Sequence, residues 1–118
     1  VSFVVDDKGD LLGDGLNIEG AILYAEKHGA NSVGVNCCSL AAATAVVPRM
    51  VAMATTPVTV RPNAGNPVQT QDGLVWHEDP EAFARACVEW KRAGAAMVGS
   101  CCGTTAITTA VMADVLDI

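Results

Sequence analysis

Cys37 and the adjacent pair Cys101 and Cys102 are the residues of this sequence best suited to chemistry. Cys37 closes the run Gly34-Val35-Asn36-Cys37, and the pair lies in Gly99-Ser100-Cys101-Cys102-Gly103-Thr104-Thr105. Each group follows a short apolar run. Thiolates brought together from two strand ends make a soft, anionic site that suits zinc. Three protein thiolates leave one tetrahedral position open, the mark of a catalytic or substrate-binding zinc rather than a closed structural one. The natural occupant of that position is a substrate thiol, which zinc keeps as thiolate at neutral pH.

The other candidate residues have plainer readings. The chain has five cysteines, an odd number, and they are clustered rather than spread as a disulfide framework. That pattern points to reduced thiols and a cytoplasmic location. Cys87 reads as a small hydrophobe on an apolar helix face. Cys38 should point away from Cys37. His77 reads as a solvated loop histidine, and Asp79 and Glu81 as capping and dipole residues. Asp6, Asp7 and Asp10 lack the spacing and closing glutamate of a calcium loop. The loop from Gly9 to Gly15 lacks the Gly-Lys-Ser/Thr pattern of a phosphate cradle. Two competing functions remain open for the cysteines: a non-catalytic zinc-binding module, and a redox dithiol using Cys101 and Cys102. The second lacks the two-residue spacer of thioredoxin-like motifs.

The elements that must position these thiols alternate regularly. Strands are expected over residues 1–5, 32–36, 57–61 and 95–99. Helices are expected over residues 17–28, 41–54, 79–94 and 106–116. Asn17 caps the first helix, and Ile18, Ala21, Ile22 and Ala25 form its inward face. Gly29 ends it, and Pro48 should kink the second. Asp79-Pro80-Glu81 is a strong helix start, leading into Phe83, Ala86, Cys87 and Trp90 on the inward face. Residues 62–77 read as loop. The strands show no clear apolar/polar alternation, as expected when both faces are buried.

Such an order implies parallel strands joined by helical crossovers. Four βα units make either a small doubly wound sheet or half of a (βα)8 barrel. Both place functional residues at the carboxyl ends of strands, where Asp6, Cys37, Asn63, Cys101 and Cys102 all fall. The second and fourth strands are next-but-one neighbours, roughly 10 Å apart from the usual strand spacing. Both members of the vicinal pair can face one metal only if the backbone turns there, and Gly99 and Gly103 flank the pair to permit it.

With 118 residues, of which 51% are hydrophobic and 17% charged, the chain suffices for one domain. The net charge of −6, with no basic stripe, disfavours nucleic acid and anionic membranes as partners. No apolar stretch approaches the roughly 18 residues of a membrane span. The sequence begins at Val1 inside a strand-like run, so it is expected to be cut from something longer.

Gly-Val-Asn-Cys, Pro62-Asn63-Ala64-Gly65 and Gly-Ser-Cys-Cys-Gly-Thr-Thr, in this order and spacing, resemble the zinc-dependent homocysteine S-methyltransferase family. That family includes the homocysteine domain of cobalamin-dependent methionine synthase and betaine–homocysteine methyltransferase. The resemblance runs along nearly the whole chain and implies the C-terminal half of a (βα)8 TIM barrel, strands five to eight, over residues 1–118. It implies Cys37, Cys101 and Cys102 as zinc ligands, with Asn36 and Gly99 in the same motifs. It implies homocysteine as methyl acceptor, methionine as product, and a donor such as methylcobalamin, S-methylmethionine, S-adenosylmethionine or betaine. Pro62-Asn63-Ala64-Gly65 is closer to the methionine synthase branch, and Ser2-Phe3 is similar to a first-strand pair. One departure is Ser100, where the family usually has glycine. The family's glycine-rich motif and its acidic substrate-binding residue lie on earlier strands, absent here. No catalytic side chain beyond the metal triad is assigned. The isolated chain is expected to be inactive and to self-associate.

Overall fold

Four short segments form one parallel sheet in the computed structural model, which describes residues 1–13 and 15–117. Asp14, within the glycine-rich loop, and Ile118 lie outside the described residues. The strands are β1 (Ser2–Phe3), β2 (Val33–Asn36), β3 (Val58–Arg61) and β6 (Met97–Val98), in the spatial order β1-β2-β3-β6. The helices are α1 (Ile18–Lys27), α2 (Leu40–Met53), α3 (Pro80–Ala93) and α4 (Ala106–Leu116). A separate antiparallel hairpin, β4 (Val68–Thr70) and β5 (Gly73–Val75), falls between β3 and α3.

Local chemistry sets the boundaries. Asn17, Ser39, Asp79 and Thr105 each cap a helix by accepting an N–H from its first turn. Gly94, at φ +112°, ends α3 in the left-handed conformation. α2 runs through Pro48 rather than stopping at it. The first strand is shorter than the apolar run 1–5 suggests. The Asp6 carboxylate accepts the N–H groups of Lys8 and Asp10 at 2.8 and 3.0 Å, and this turn draws the chain out of the sheet. Val5 then bridges Leu11 instead of a sheet neighbour.

The helices cover one face of the sheet. Ile18 and Ile22 of α1, Val46, Val47 and Met50 of α2, and Phe83, Cys87 and Trp90 of α3 pack on Val33, Val35, Val58 and Val60. The Phe83 and Trp90 rings meet edge to face at 5.9 Å, and the Trp90 indole N–H donates to Thr44 Oγ1. α4 adds Met112 to the same core.

β2 is buried at Val33, Gly34 and Val35 in succession, while β3 alternates, with Val58 and Val60 buried towards the helices and Thr59 and Arg61 on the other face. The register places Ser2, Gly34, Thr59 and Met97 in one row across that face, with Asn36 and Arg61 in the next. Gly34 has no room for a Cβ, because the Thr59 side chain and carbonyl lie over it. Met97 is 57% exposed on the outer strand.

Candidate metal centre

The three cysteines singled out from sequence converge at the carboxyl ends of β2 and β6. Their Sγ atoms all lie within 4.8 Å of one another. Cys37 and Cys101, 64 residues apart in sequence, are 2.9 Å apart at sulfur, and Cys101 and Cys102 are 3.9 Å apart. All five cysteines are free thiols. β3 lies between the two thiol-bearing strands, as the next-but-one arrangement requires.

Backbone geometry aims the sulfurs. Cys37 has φ +54°, in the left-handed region that a residue with a Cβ rarely adopts. This turn separates it from Cys38, which is 4% exposed and packs in the core. On the other side, Gly103 at φ +80° makes the turn after the vicinal pair, and its Cα lies directly beneath the Trp76 ring. Gly99, expected to share that role, is not in a left-handed conformation. Ser100 makes no hydrogen bond to a thiol among the described residues.

The loops are tied to one another through the chain between them. Cys101 N–H donates to Pro62 O, and Ala64 N–H to Cys102 O. The Asn63 side-chain oxygen accepts Cys102 N–H at 3.1 Å, while Asn63 N–H donates to Cys38 O. Pro62-Asn63-Ala64 is therefore a splint between the two cysteine loops. Beyond the pair, Glu78 accepts the N–H and hydroxyl of Thr105 and the hydroxyl of Thr108, fixing the start of α4. Neither Trp76 nor Glu78 stood out in the sequence; Trp76 sits in the segment read as loop, and Glu78 between that loop and the helix cap Asp79.

The electrostatics are those of coupled thiols. Asn36 Nδ2 donates to Cys37 Sγ at 3.3 Å, and Ser2 Oγ donates to Asn36 Oδ1 at 2.6 Å, which orients the amide. The hydrogen bond between Cys37 and Cys101 holds the Cys37 thiol up and the Cys101 thiol down, so the two titrate as a pair. Burial pushes Cys38 up to about 11 and Cys87 up to about 12, which keeps both as inert neutral thiols. His77 is exposed and stands outside the cluster.

Three sulfurs on one tetrahedral zinc, with bonds near 2.3 Å, lie about 3.8 Å from one another. The donor set and its spacing fit such an ion once Cys37 and Cys101 separate by about 1 Å. The closest thiol pair is Cys37 with Cys101, not the vicinal pair that the redox alternative names.

Comparison with known proteins agrees with the motifs. The pattern of the homocysteine S-methyltransferase family matches residues 1–116. The chain belongs to the homocysteine S-methyltransferase family. Homocysteine S-methyltransferase of Escherichia coli is 30% identical over 108 residues, covering 88% of this chain and 34% of that protein. Methionine synthase of Mycobacterium leprae is 34% identical over 93 residues, covering 77% of this chain and 8% of that protein. Among solved structures, the metallated form of the E. coli homocysteine methyltransferase MmuM superposes with a TM-score of 0.69 at 26% identity. It matches 96% of this chain, which spans 34% of that structure. This family member therefore spans about a third of the homocysteine S-methyltransferase from E. coli.

Proposed function

We propose that this chain carries the metal-binding part of a zinc-dependent homocysteine S-methyltransferase, with Cys37, Cys101 and Cys102 as zinc ligands. The observation that carries the reading is the convergence of these three thiols, in a member of this family, at the carboxyl ends of two parallel strands. Zinc bound there would supply the Lewis acidity that keeps a fourth, substrate thiol ionised at neutral pH. The chain's own residues then hold and orient. Asn36, aligned by Ser2, steadies Cys37; Asn63 fixes the Cys102 backbone; Glu78 and Trp76 fix the loop behind it. The homocysteine thiol would release its proton to solvent on binding, and its sulfur would form the new S–C bond as the bond from the methyl to the donor breaks, the donor leaving with that electron pair and methionine resulting. Methylcobalamin is one donor consistent with this arrangement, and the sheet's open face leaves the choice to residues outside the chain.

The architecture that supports this reading is the last four βα units of a (βα)8 barrel, a partial homocysteine-binding domain over residues 1–118. Helices cover a single face of the sheet, as in a barrel and unlike a doubly wound sheet. Both outer strands, β1 and β6, have an unpaired edge. α4 leaves apolar side chains exposed, with Ile107 64% and Val115 44% accessible. The chain alone is then inactive and self-associates, which sedimentation velocity reads directly; a monodisperse, cooperatively melting monomer would count against the half barrel. The reduced thiols fit a cytoplasmic setting. No helix among the described residues is long and apolar enough to cross a membrane.

Zinc content and zinc X-ray absorption on reduced, folded protein test the centre. One zinc with three sulfur neighbours and a lighter fourth ligand is expected, with four sulfurs once homocysteine is added to the assembled barrel. Cys37→Ser should abolish tight binding and Cys87→Ser should leave it intact. Equal zinc affinity in both variants removes the triad.

A further inference from the structure

The outer side of the helix layer carries a groove that neither the sheet nor the thiols use. It runs between α3 and α4 with a volume of about 450 Å³, away from the Phe83, Cys87 and Trp90 face of α3 that packs in the core. Its floor is apolar, with Ala84 and Val88 from α3 and Val111 and Val115 from α4. Ala84 is buried, Val88 and Val111 are half-buried, and Val115 is exposed. Its rim is charged and comes from α3 alone: Glu81, Arg85, Glu89 and Arg92. An apolar centre inside a polar rim, with arginine as the cation, is the composition of an interface.

The rim alternates in sign along the helix. At 1.5 Å per residue its charges fall at about 0, 6, 12 and 16.5 Å along the α3 axis, in the order acid, base, acid, base. A second α3 laid antiparallel, about a two-fold axis level with residue 87, sets Glu81 against Arg92 of the second copy and Arg85 against its Glu89. Each pair occurs twice, because two-fold contacts are reciprocal, and Val88 lies beside the axis opposite its own counterpart. In a parallel two-fold alignment like charges would face one another. Within one chain these charges are little used. Arg85 approaches Glu81 only to 3.9 Å with both side chains largely exposed, and Glu89 and Arg92 form no ion pair among the described residues. The rim is neutral in a chain of net charge −6, so two copies meet least repulsion through this side.

We infer that the outer groove of α3 and α4 is a two-fold docking surface for a second copy of this chain, with Val88, Val111 and Val115 at its centre and the Glu81–Arg92 and Arg85–Glu89 pairs at its rim. The surface lies on the helix side, away from the open sheet face, and stands apart from the zinc reading. Association through the open sheet, which the chain alone should also show, involves none of these charges, so reversing them separates the two modes.

Sedimentation equilibrium on the assembled barrel tests it, with a circular-dichroism melt of each variant as the folding control. A reversible dimer is expected, weakened by added salt because its rim is ionic. Arg85→Glu sets acid against acid at both symmetric positions and should raise the dissociation constant about 5- to 30-fold. Adding Glu89→Arg restores opposite charges across the axis and should bring the constant back to within about 3-fold of wild type. Val115→Lys carries a charge into the apolar centre and should also weaken the dimer. A wild-type protein that stays monomeric at every concentration overturns the inference, whatever other partner then covers the groove. A dimer that Arg85→Glu and Val115→Lys both leave unchanged overturns it too, as does one that the reversed pair fails to restore.

Discussion

Replacing Gly103 by alanine tests whether the backbone positions the vicinal cysteines. At φ +80° a residue with a Cβ is disfavoured by about 1–2 kcal/mol. The same Cβ would also overlap Cγ, Cδ2 and Cε3 of Trp76. If the loop carries both penalties, zinc affinity falls roughly 5- to 30-fold from the backbone share alone, with the ring's displacement added. Trp76→Ala clears the space but leaves φ unchanged. The double variant should therefore recover the steric share and keep the backbone share. Such a cycle separates the two, with a coupling of about 0.5–3 kcal/mol in favour of the double variant. The assay is zinc competition against a chromophoric chelator, with a circular-dichroism melt of all four proteins as the folding control. Wild-type zinc affinity in Gly103→Ala, or strict additivity across the cycle, would refute the reasoning.

Further outcomes follow from the hydrogen-bond and pKa pattern. Glu78→Gln keeps the shape of the side chain but weakens its hold on Thr105 and Thr108; zinc affinity should fall while the α1–α2 core is unaffected, as amide hydrogen exchange would report. Glu19, held below its usual 4.5 by the Arg49 hydrogen bond, and Glu26, held down by Thr56, contribute stability that is fully present above about 4.5 and is lost as pH falls through their lower folded values. Acid titration of the melting temperature should show this, and Arg49→Gln should flatten the Glu19 part. At the alkaline end, burial of Cys38 and Cys87 stabilises the fold below their usual 9.0, and this is lost as pH rises towards about 11 and 12. Cys38→Ala should shrink that loss. In metal-free protein at neutral pH, iodoacetamide should label Cys101 ahead of Cys37 and leave Cys38 and Cys87 unlabelled, as peptide mass spectrometry would show.

The thiol cluster was legible because its signal is chemical and local. Soft ligands follow strand-like runs, and the alternation of strands and helices dictates that strand ends gather. The caps at Asn17, Asp79 and Gly94 were legible for the same reason, since each satisfies a helix end through its own side chain or conformation. What stayed hidden depends on partners distant in sequence. Hairpin β4–β5 has strands of three residues and little burial, so periodicity says almost nothing of it. Its one usable sign was Asp72-Gly73 ahead of Leu74-Val75, and Gly73 does take φ +108° to close the turn. The left-handed Cys37 gives no sign in sequence, because cysteine is not a residue expected there. Glu78 reads as one more acid before a helix until Thr105 and Thr108 are brought against it.

The distance in sequence between Cys37 and Cys101 bears on how the molecule is held together. A metal gripping both closes a ring of 64 residues, and α2, β3, the hairpin, α3 and β6 all lie inside it. By chain entropy, a link of that span removes about 4 kcal/mol of freedom from the unfolded chain, comparable with the net stability of many small domains. The ion would then be a rivet as well as a reagent. Its departure would slacken more than half of the chain at once, so the protein's persistence in a cell would track its access to metal.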